Sequence, residues 1–427
     1  MVEAALKERI LAEVEQGFDA QVKFTQDLVR FPSQRGQEHT AQDFLYRAFA
    51  ERDLAMDRWS IDVGEIEDHP GFSPVTVSYD NAVNVVGAYR PKAEKGRSLI
   101  LNGHVDVVPV GPLDMWTTPP YEPRIEGDWL YGRGSGDMKA GIAANLFAFD
   151  ALRRAGVEPA STVYMQSVTE EECTGNGALS CLVRGYHADA VLITEPTHDQ
   201  LVRANVGVLW FQVEVRGRPA HVYESTVGSN AIIAAYKLIQ ALKELEAEMN
   251  AEKGDHPHFE DATHPITINI GKIAGGDWAS SVPAWCRFDV RAGIYPGTSV
   301  EAAKRRLESA VRGAALDDPF LSNHPPSVTY NGFAAEGYAL PPGSDAEACL
   351  ADAHRQVRAA ELGDATMPAY LDARVAMLYD DTPALVYGPK SEHIHGFDER
   401  VSLKSTLDVT KTVALFVADW CGVVEAG

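Results

Sequence analysis

The chain has 427 residues, 45% of them hydrophobic and 23% charged, with a formal net charge of −23 at pH 7. That length is too great for one ordinary core, so two domains are expected. The acidic balance argues against nucleic acid or an anionic membrane as a partner, because both repel such a surface.

No window approaches the roughly 20 uninterrupted apolar residues of a membrane span, and the N-terminus lacks the basic-then-apolar pattern of a signal peptide. The five cysteines (Cys173, Cys181, Cys286, Cys349 and Cys421) lack metal-finger spacing, so free thiols in a reducing cytoplasm are expected. Residues 4–30 read as an amphipathic helix, with Leu6, Ile10, Val14, Phe18, Val22 and Leu28 near one face. Phe31-Pro32 ends it, since the residue before proline resists helical geometry. A second helix is predicted over 39–52. Strands follow at 59–63, 84–88 and 98–103, then a helix over 138–155, a strand at 162–167, a helix at 177–183 and a strand at 190–193. Apolar strands separated by helices predict a mostly parallel, doubly wound sheet in an α/β domain.

Near Ala204 the texture changes. A strand alternates over 206–215, a helix spans 229–250, and strands follow at 265–270 and 284–291. Another helix opens with the capping box Thr298-Ser299-Val300-Glu301, and a short strand at 327–330 closes the unit. The order strand-helix-strand-strand-helix-strand is the ferredoxin-like split βαβ arrangement. The expectation is a catalytic domain of residues 1–204 and 332–427, resuming with a helix at 344–359 and a strand at 383–387. Residues 205–331 form its inserted α+β lid or dimerisation domain.

The stretch 98–141 carries the first chemistry. Leu99-Ile100-Leu101 runs into Asn102-Gly103-His104-Val105-Asp106, and on extended backbone His104 and Asp106 project together. The turn Gly132-Arg133-Gly134-Ser135-Gly136 delivers Asp137 just before a helix. An imidazole with two carboxylates at strand and turn ends suits a hydrolytic metal site. A histidine in a polar loop with two capping aspartates is the competing reading, and the triplet alone does not choose.

Sites form at strand ends of an open α/β sheet, and three more candidates fall there. In Thr169-Glu170-Glu171-Glu172-Cys173-Thr174-Gly175-Asn176-Gly177 three adjacent carboxylates repel one another unless cations balance them. A solvated acidic loop is the alternative. Glu195, after the strand at 190–193, reads alone as a surface loop residue. His393 and His395, after the strand at 383–387, share a face if extended, so periodicity does not separate them.

Four blocks in order (N-G-H-V-D-V-V-P, G-R-G-S-G-D-M-K-A-G, T-E-E-E-C-T-G-N-G-A with T-E-P-T, and H-G-F-D-E-R-V) span the chain from His104 to Val401. With them the chain resembles the co-catalytic zinc aminoacylase family, which includes acetylornithine deacetylase, succinyl-diaminopimelate desuccinylase, the carboxypeptidase G type and related dipeptidases. The resemblance implies two Zn(II) ions, with Co(II) or Mn(II) as substitutes. His104 and Glu195 would bind one metal, Glu172 and His395 the other, and Asp137 would bridge them. Asp106 would orient His104, and Glu171 would be the general base. Counting back from Gly175 puts the Glu pair at 171 and 172, with an offset to Glu170 and Glu171 left open.

In Gly217-Arg218-Pro219-Ala220-His221 the resemblance makes His221 an oxyanion stabiliser, acting across the subunit interface in dimeric members. Arg291 and Arg374 match positions that receive a substrate carboxylate, with a lid salt bridge as the competitor for Arg291. The implied activity is cleavage of a linear amide in a small N-acyl amino acid or peptide-like substrate, by a homodimer formed through the lid. Carboxypeptidase or dipeptidase action, ureido or aryl-amine hydrolysis, and lastly a non-catalytic metal-binding module are the alternatives. Three departures from the family pattern are expected near the pocket: Ser281, the segment 365–371 in place of a glycine-rich loop, and Lys390. Bulk from Tyr370 and Trp278 would favour an aromatic or larger group.

Overall fold

The structure, a computed structural model, describes residues 2–426. Helices α1 (Ala4–Val29) and α2 (His39–Ala50) form where the apolar spacing predicts and bury Ile10, Val14, Leu28, Leu45 and Phe49. Strands β1 (Ala55–Ser60), β2 (Val83–Tyr89) and β3 (Leu99–His104) follow. Helix α3 (Ala140–Arg154), strand β4 (Val163–Val168), helix α4 (Asn176–Val183) and strand β5 (Val191–Ile193) come next.

A second group comprises β6 (Gly207–Arg216), α5 (Ala231–Ala251), β7 (Ile268–Gly275), β8 (Trp285–Ile294), α6 (Val300–Leu316) and β9 (Ser327–Ala335). The chain then returns through α7 (Asp345–Arg358), β10 (Ala384–Val386) and α8 (Leu403–Cys421).

The larger sheet has the order β1-β2-β4-β3-β5-β10. It is mixed with a parallel majority, as three of its five neighbour pairs are parallel. Strands β4, β3, β5 and β10 run parallel, whereas β1-β2 and β2-β4 are antiparallel pairs. Parallel neighbours need a crossover connection, usually a full helix. Between β1 and β2 the chain supplies only the helical turn Val63–Ile66, so it doubles back. Every residue of β3, β5 and β10 is buried, as central strands covered on both faces require. Helices α1, α3 and α8 pack on one another and close the core over this sheet.

The smaller sheet is antiparallel throughout, in the order β7-β8-β6-β9. Its core is separate, with Leu238 and Leu242 of α5 and Leu307 and Val311 of α6 packed against Phe211, Phe288 and Val290. Several boundaries differ from expectation, among them the last strand of the smaller sheet, which runs on from 330 to Ala335, and three differences have a local cause. The first strand ends at Ser60 because Asp62 accepts a hydrogen bond from Gly64 N and starts the helical turn. The strand predicted at 265–270 slides to Ile268–Gly275, where its register with β8 sets Ile268 opposite Ala292. The helix cap moves by one residue: Ser299, not Thr298, accepts from Ala302 N, and Glu301 is left to pair with Lys304.

Candidate metal centre and its pocket

His104 ends β3 with its ring 1% exposed. Its Nδ1 lies 3.0 Å from the Asp106 carbonyl oxygen, which can only accept, so Nδ1 carries the proton. The other nitrogen, Nε2, thereby faces Asp137 Oδ1 at 3.0 Å, Glu195 Oε1 at 3.4 Å and Glu171 Oε2 at 3.8 Å. Asp106 also reaches the neighbouring loop, its Oδ2 accepting from Glu172 N at 3.0 Å.

Asp137 is delivered by a turn organised on one buried carboxylate. Glu399 accepts from Arg133 Nη1 at 2.6 Å and from the backbone N–H groups of Gly134, Gly136 and Asp137 at 3.0–3.1 Å. Gly134 has φ +79°, and a Cβ there would lie 2.6 Å from Val107 Cγ1, so only glycine suits the turn. From this turn Asp137 directs Oδ1 to His104 and Oδ2 to His395 Nε2, the latter at 3.3 Å.

The loop after β4 separates its three glutamates. Glu170 turns away from the centre, held by Arg35 Nε and Nη2 at 2.6 and 2.7 Å and by the Tyr79 hydroxyl at 2.6 Å. Glu171 and Glu172 turn inward, with Glu172 Oε2 3.1 Å from His395 Nε2. His395 rather than His393 meets this cluster.

Burial above all, with neighbouring carboxylates, holds the Glu171 carboxyl well above the usual range and raises that of Glu172. Burial likewise pushes Glu195 up to about 7. Burial works against the Asp137 carboxylate too, but the two imidazoles outweigh it and hold it far below the usual range. Glu172 foremost pushes His395 up to about 11. Among the described residues no lysine or arginine forms a salt bridge with Asp137, Glu171, Glu172 or Glu195. Crowded carboxylates without a balancing cation fit a divalent metal. Two donor trios, His104-Glu171-Glu195 and His104-Asp137-Glu172, each keep their ligand atoms within 4.8 Å of one another.

The cluster floors a cavity of about 670 Å³. Arg291 stands on its wall, donates to the Pro368 carbonyl at 3.0 Å, and meets no carboxylate among the described residues; burial pushes it down to about 10. Tyr370 also lines the cavity, whereas Ser281, Lys390 and Trp278 do not, and Trp278 is 74% exposed elsewhere. Arg374 departs from expectation as well. It is buried off the cavity wall, donating to the Gly71 carbonyl and, at 2.7 Å, to the Tyr379 hydroxyl. His221 is exposed outside the cavity, its Nδ1 accepting from Tyr223 N at 3.1 Å.

Sequence reasoning missed Arg35, Glu399 and Asp372 as parts of this site. Asp372 is buried, accepts from the Tyr370 hydroxyl at 3.0 Å and is pushed up to about 7, mainly by burial. Glu399 stood inside the quoted H-G-F-D-E-R-V block and Asp372 lies two residues before Arg374, so both could have been singled out; Arg35 lay in no motif.

Residues 100–419 match the family model for peptidase family M20/M25/M40, and the chain belongs to that family. It is a metal-dependent hydrolase acting on amide C–N bonds. It is 28% identical to the N-formyl-4-amino-5-aminomethyl-2-methylpyrimidine deformylase of Halalkalibacterium halodurans over 100% of both chains. It is 26% identical to the succinyl-diaminopimelate desuccinylase of Dinoroseobacter shibae, covering 90% of this chain and 94% of that one. Among solved structures, the di-peptidase Dug1p of Saccharomyces cerevisiae shares the fold with a TM-score of 0.78 at 15% identity, over 97% of this chain and 98% of that one. Among the described residues no helix is long and apolar enough to cross a membrane.

Proposed function

We propose that the chain is a dinuclear, zinc-dependent amidohydrolase that removes an acyl group from the nitrogen of a small-molecule amide. The observation that carries this reading is the convergence of two imidazoles and four carboxylates, of which His395 and the four carboxylates line one cavity and His104 stands directly behind them. His104 and Glu195 would hold one ion and His395 and Glu172 the other, with one Asp137 oxygen toward each side. Two ions held there would supply Lewis acidity to the scissile carbonyl and to the attacking water. Glu171 lines the cavity beside His104 and is our general base: it takes the water proton and returns it to the departing amine nitrogen. Asp106 positions both His104 and the loop that carries Glu172. Arg291, without an acidic partner among the described residues, would receive the acceptor groups of the substrate.

Residues 205–331 act in this reading as a lid and dimerisation domain inserted in the catalytic one. Ile232, Ile233 and Tyr236 on α5 and Ile273 on the edge strand β7 are exposed and supply an apolar face for a second copy. His221 would then stabilise the oxyanion in the partner's site. All five cysteines are free, which fits a reducing cytoplasm. The deformylase relative supports formyl as the acyl group, and the desuccinylase relative supports a succinyl group on an amino acid. The test is hydrolysis of a panel of N-formyl, N-acetyl and N-succinyl amides by zinc-loaded and chelator-stripped protein. Cleavage that vanishes on stripping and returns with zinc is expected; activity indifferent to chelation would overturn the reading.

A further inference from the structure

Three consecutive glutamates have the same chemistry, yet Glu171 and Glu172 line the cavity and Glu170 does not. What separates them is how Glu170 is held. Its carboxylate is 1% exposed and engaged on both oxygens. Oε1 accepts from Arg35 Nε at 2.6 Å; Oε2 accepts from Arg35 Nη2 at 2.7 Å, the Tyr79 hydroxyl at 2.6 Å and Thr174 Oγ1 at 2.9 Å. The Glu170 carbonyl accepts from Thr174 N at 2.9 Å and Gly175 N at 2.7 Å, so the loop closes on the same residue. Glu170 has φ +67°, a left-handed conformation that a residue with a Cβ keeps where its surroundings impose it. With its side chain and carbonyl both fixed, the peptide that follows is fixed, and the Glu171 carboxylate is turned toward His104 Nε2.

Arg35 is the cation of this clamp, and its own segment is pinned to the other half of the centre. Ser33 Oγ donates to the Val105 carbonyl at 2.6 Å, Val107 N donates to the Ser33 carbonyl at 3.0 Å, and Gln34 bridges to Val107. Val105 and Val107 flank Asp106 just after His104, so the guanidinium spans from the segment behind His104 to the loop that carries the base. A planar fork fits a carboxylate in one orientation, which an ammonium on a flexible stem does not impose. We propose that Arg35 is a positioning residue: by gripping Glu170 as a bidentate pair, it aims Glu171 at the reacting centre. The inference rests on the amidohydrolase reading and adds to it a residue that acts through Glu170. Arg35 also lines the cavity, and its Nη1 has no hydrogen-bond partner among the described residues, so direct contact with substrate is the rival role. The two roles differ in kinetics. A lost binding contact raises KM, whereas a misaimed base lowers kcat and leaves KM in place.

The test compares zinc-loaded Arg35→Lys, Glu170→Gln and the double variant on the N-formyl, N-acetyl or N-succinyl amide that the wild type cleaves fastest. Arg35→Lys keeps the charge and loses the fork. It is expected to bind zinc normally and keep its KM while kcat falls roughly tenfold to a hundredfold, the scale of a small misplacement of a reacting group. Glu170→Gln should behave alike, and the double variant should be no worse than the poorer single one, because both changes break one clamp. Hydrogen exchange on chelator-stripped protein reads the clamp without chemistry. The amides of Cys173, Thr174 and Gly175, which bond the Glu170 carbonyl, should exchange roughly tenfold faster in either single variant. A raised KM with unchanged kcat, wild-type turnover in Arg35→Lys, losses that multiply in the double variant, or unchanged exchange at 173–175 overturns the proposal. If the wild type cleaves no amide yet exchange at 173–175 quickens in both single variants, the amidohydrolase reading fails and the clamp stands.

Discussion

Glu171 and Glu172 are adjacent in the chain yet face different partners, and each partner defines what its loss should do. Glu171 approaches His104 at 3.8 Å and opens onto the cavity, whereas Glu172 pairs with His395. Glu171→Gln should therefore keep its metal, measured by elemental analysis, while kcat falls by roughly 10²–10⁴; a variant with near-normal turnover would refute the base assignment. His104→Ala removes the imidazole that belongs to both donor trios, and should lose metal together with activity. The same crowding predicts a pH response in the stripped protein. Glu195, pushed up to about 7, and His395, pushed up to about 11, bind protons more tightly folded than unfolded. Each supports the fold below its ordinary pKa and loses that contribution as pH rises through its folded value. Asp137 shifts downward, so its contribution is constant above the ordinary carboxylate range. The melting temperature of chelator-stripped protein should fall between about pH 5 and about pH 9, and fall less with zinc bound. A stripped protein whose melting temperature rises over that window would contradict the electrostatics described.

Elements were legible in the sequence where local chemistry dictates them, and the site was legible where those elements end. The apolar run into His104, the glycine turn before Asp137 and the strand before Glu195 each put a ligand candidate at a strand or turn end. What the motifs could not supply was direction. Arg374 lies two residues after Asp372, but the short helix Ala373–Tyr379 in which it sits carries its guanidinium to Tyr379 and away from the cavity. Arg35 is 135 positions from the carboxylate it holds, and no periodicity joins them. The antiparallel edge was equally hidden, because a strand's apolar pattern does not encode its direction. The turn built on Glu399 shows how a distant element sets a local one. Arg133 and Glu399 are 2% and 1% exposed, so breaking their pair leaves a buried charge without its partner. Glu399→Gln should lower stability by about 3 kcal/mol and weaken metal affinity by roughly 10–100-fold, since the donors that aim Asp137 lose their anion. Thermal melts and a zinc titration against a competing chelator check both; an unchanged affinity would show that Asp137 is aimed by something else.

At the scale of the whole molecule, the cavity takes its floor from the ends of the larger sheet and much of its wall from the smaller one, so neither sheet alone makes a complete site. His221 is the exception, exposed beyond the cavity while the apolar residues of α5 and β7 lie open on the same smaller unit. If that face joins two copies, Ile233→Glu with Tyr236→Glu should shift the species measured by light scattering from dimer to monomer and abolish activity while leaving zinc bound. A mixing experiment then asks whose His221 is used. His221→Ala and Glu171→Ala should each be inactive as homodimers. In a mixed dimer the His221→Ala subunit keeps its own Glu171 and borrows His221 from the other copy, so one of the two sites works. Random exchange makes half of the dimers mixed, and activity should recover to roughly a quarter of the wild-type value per subunit, as twofold symmetry requires. No recovery, with mixed dimers demonstrated by mass spectrometry, would mean that His221 serves its own chain or takes no part in the reaction.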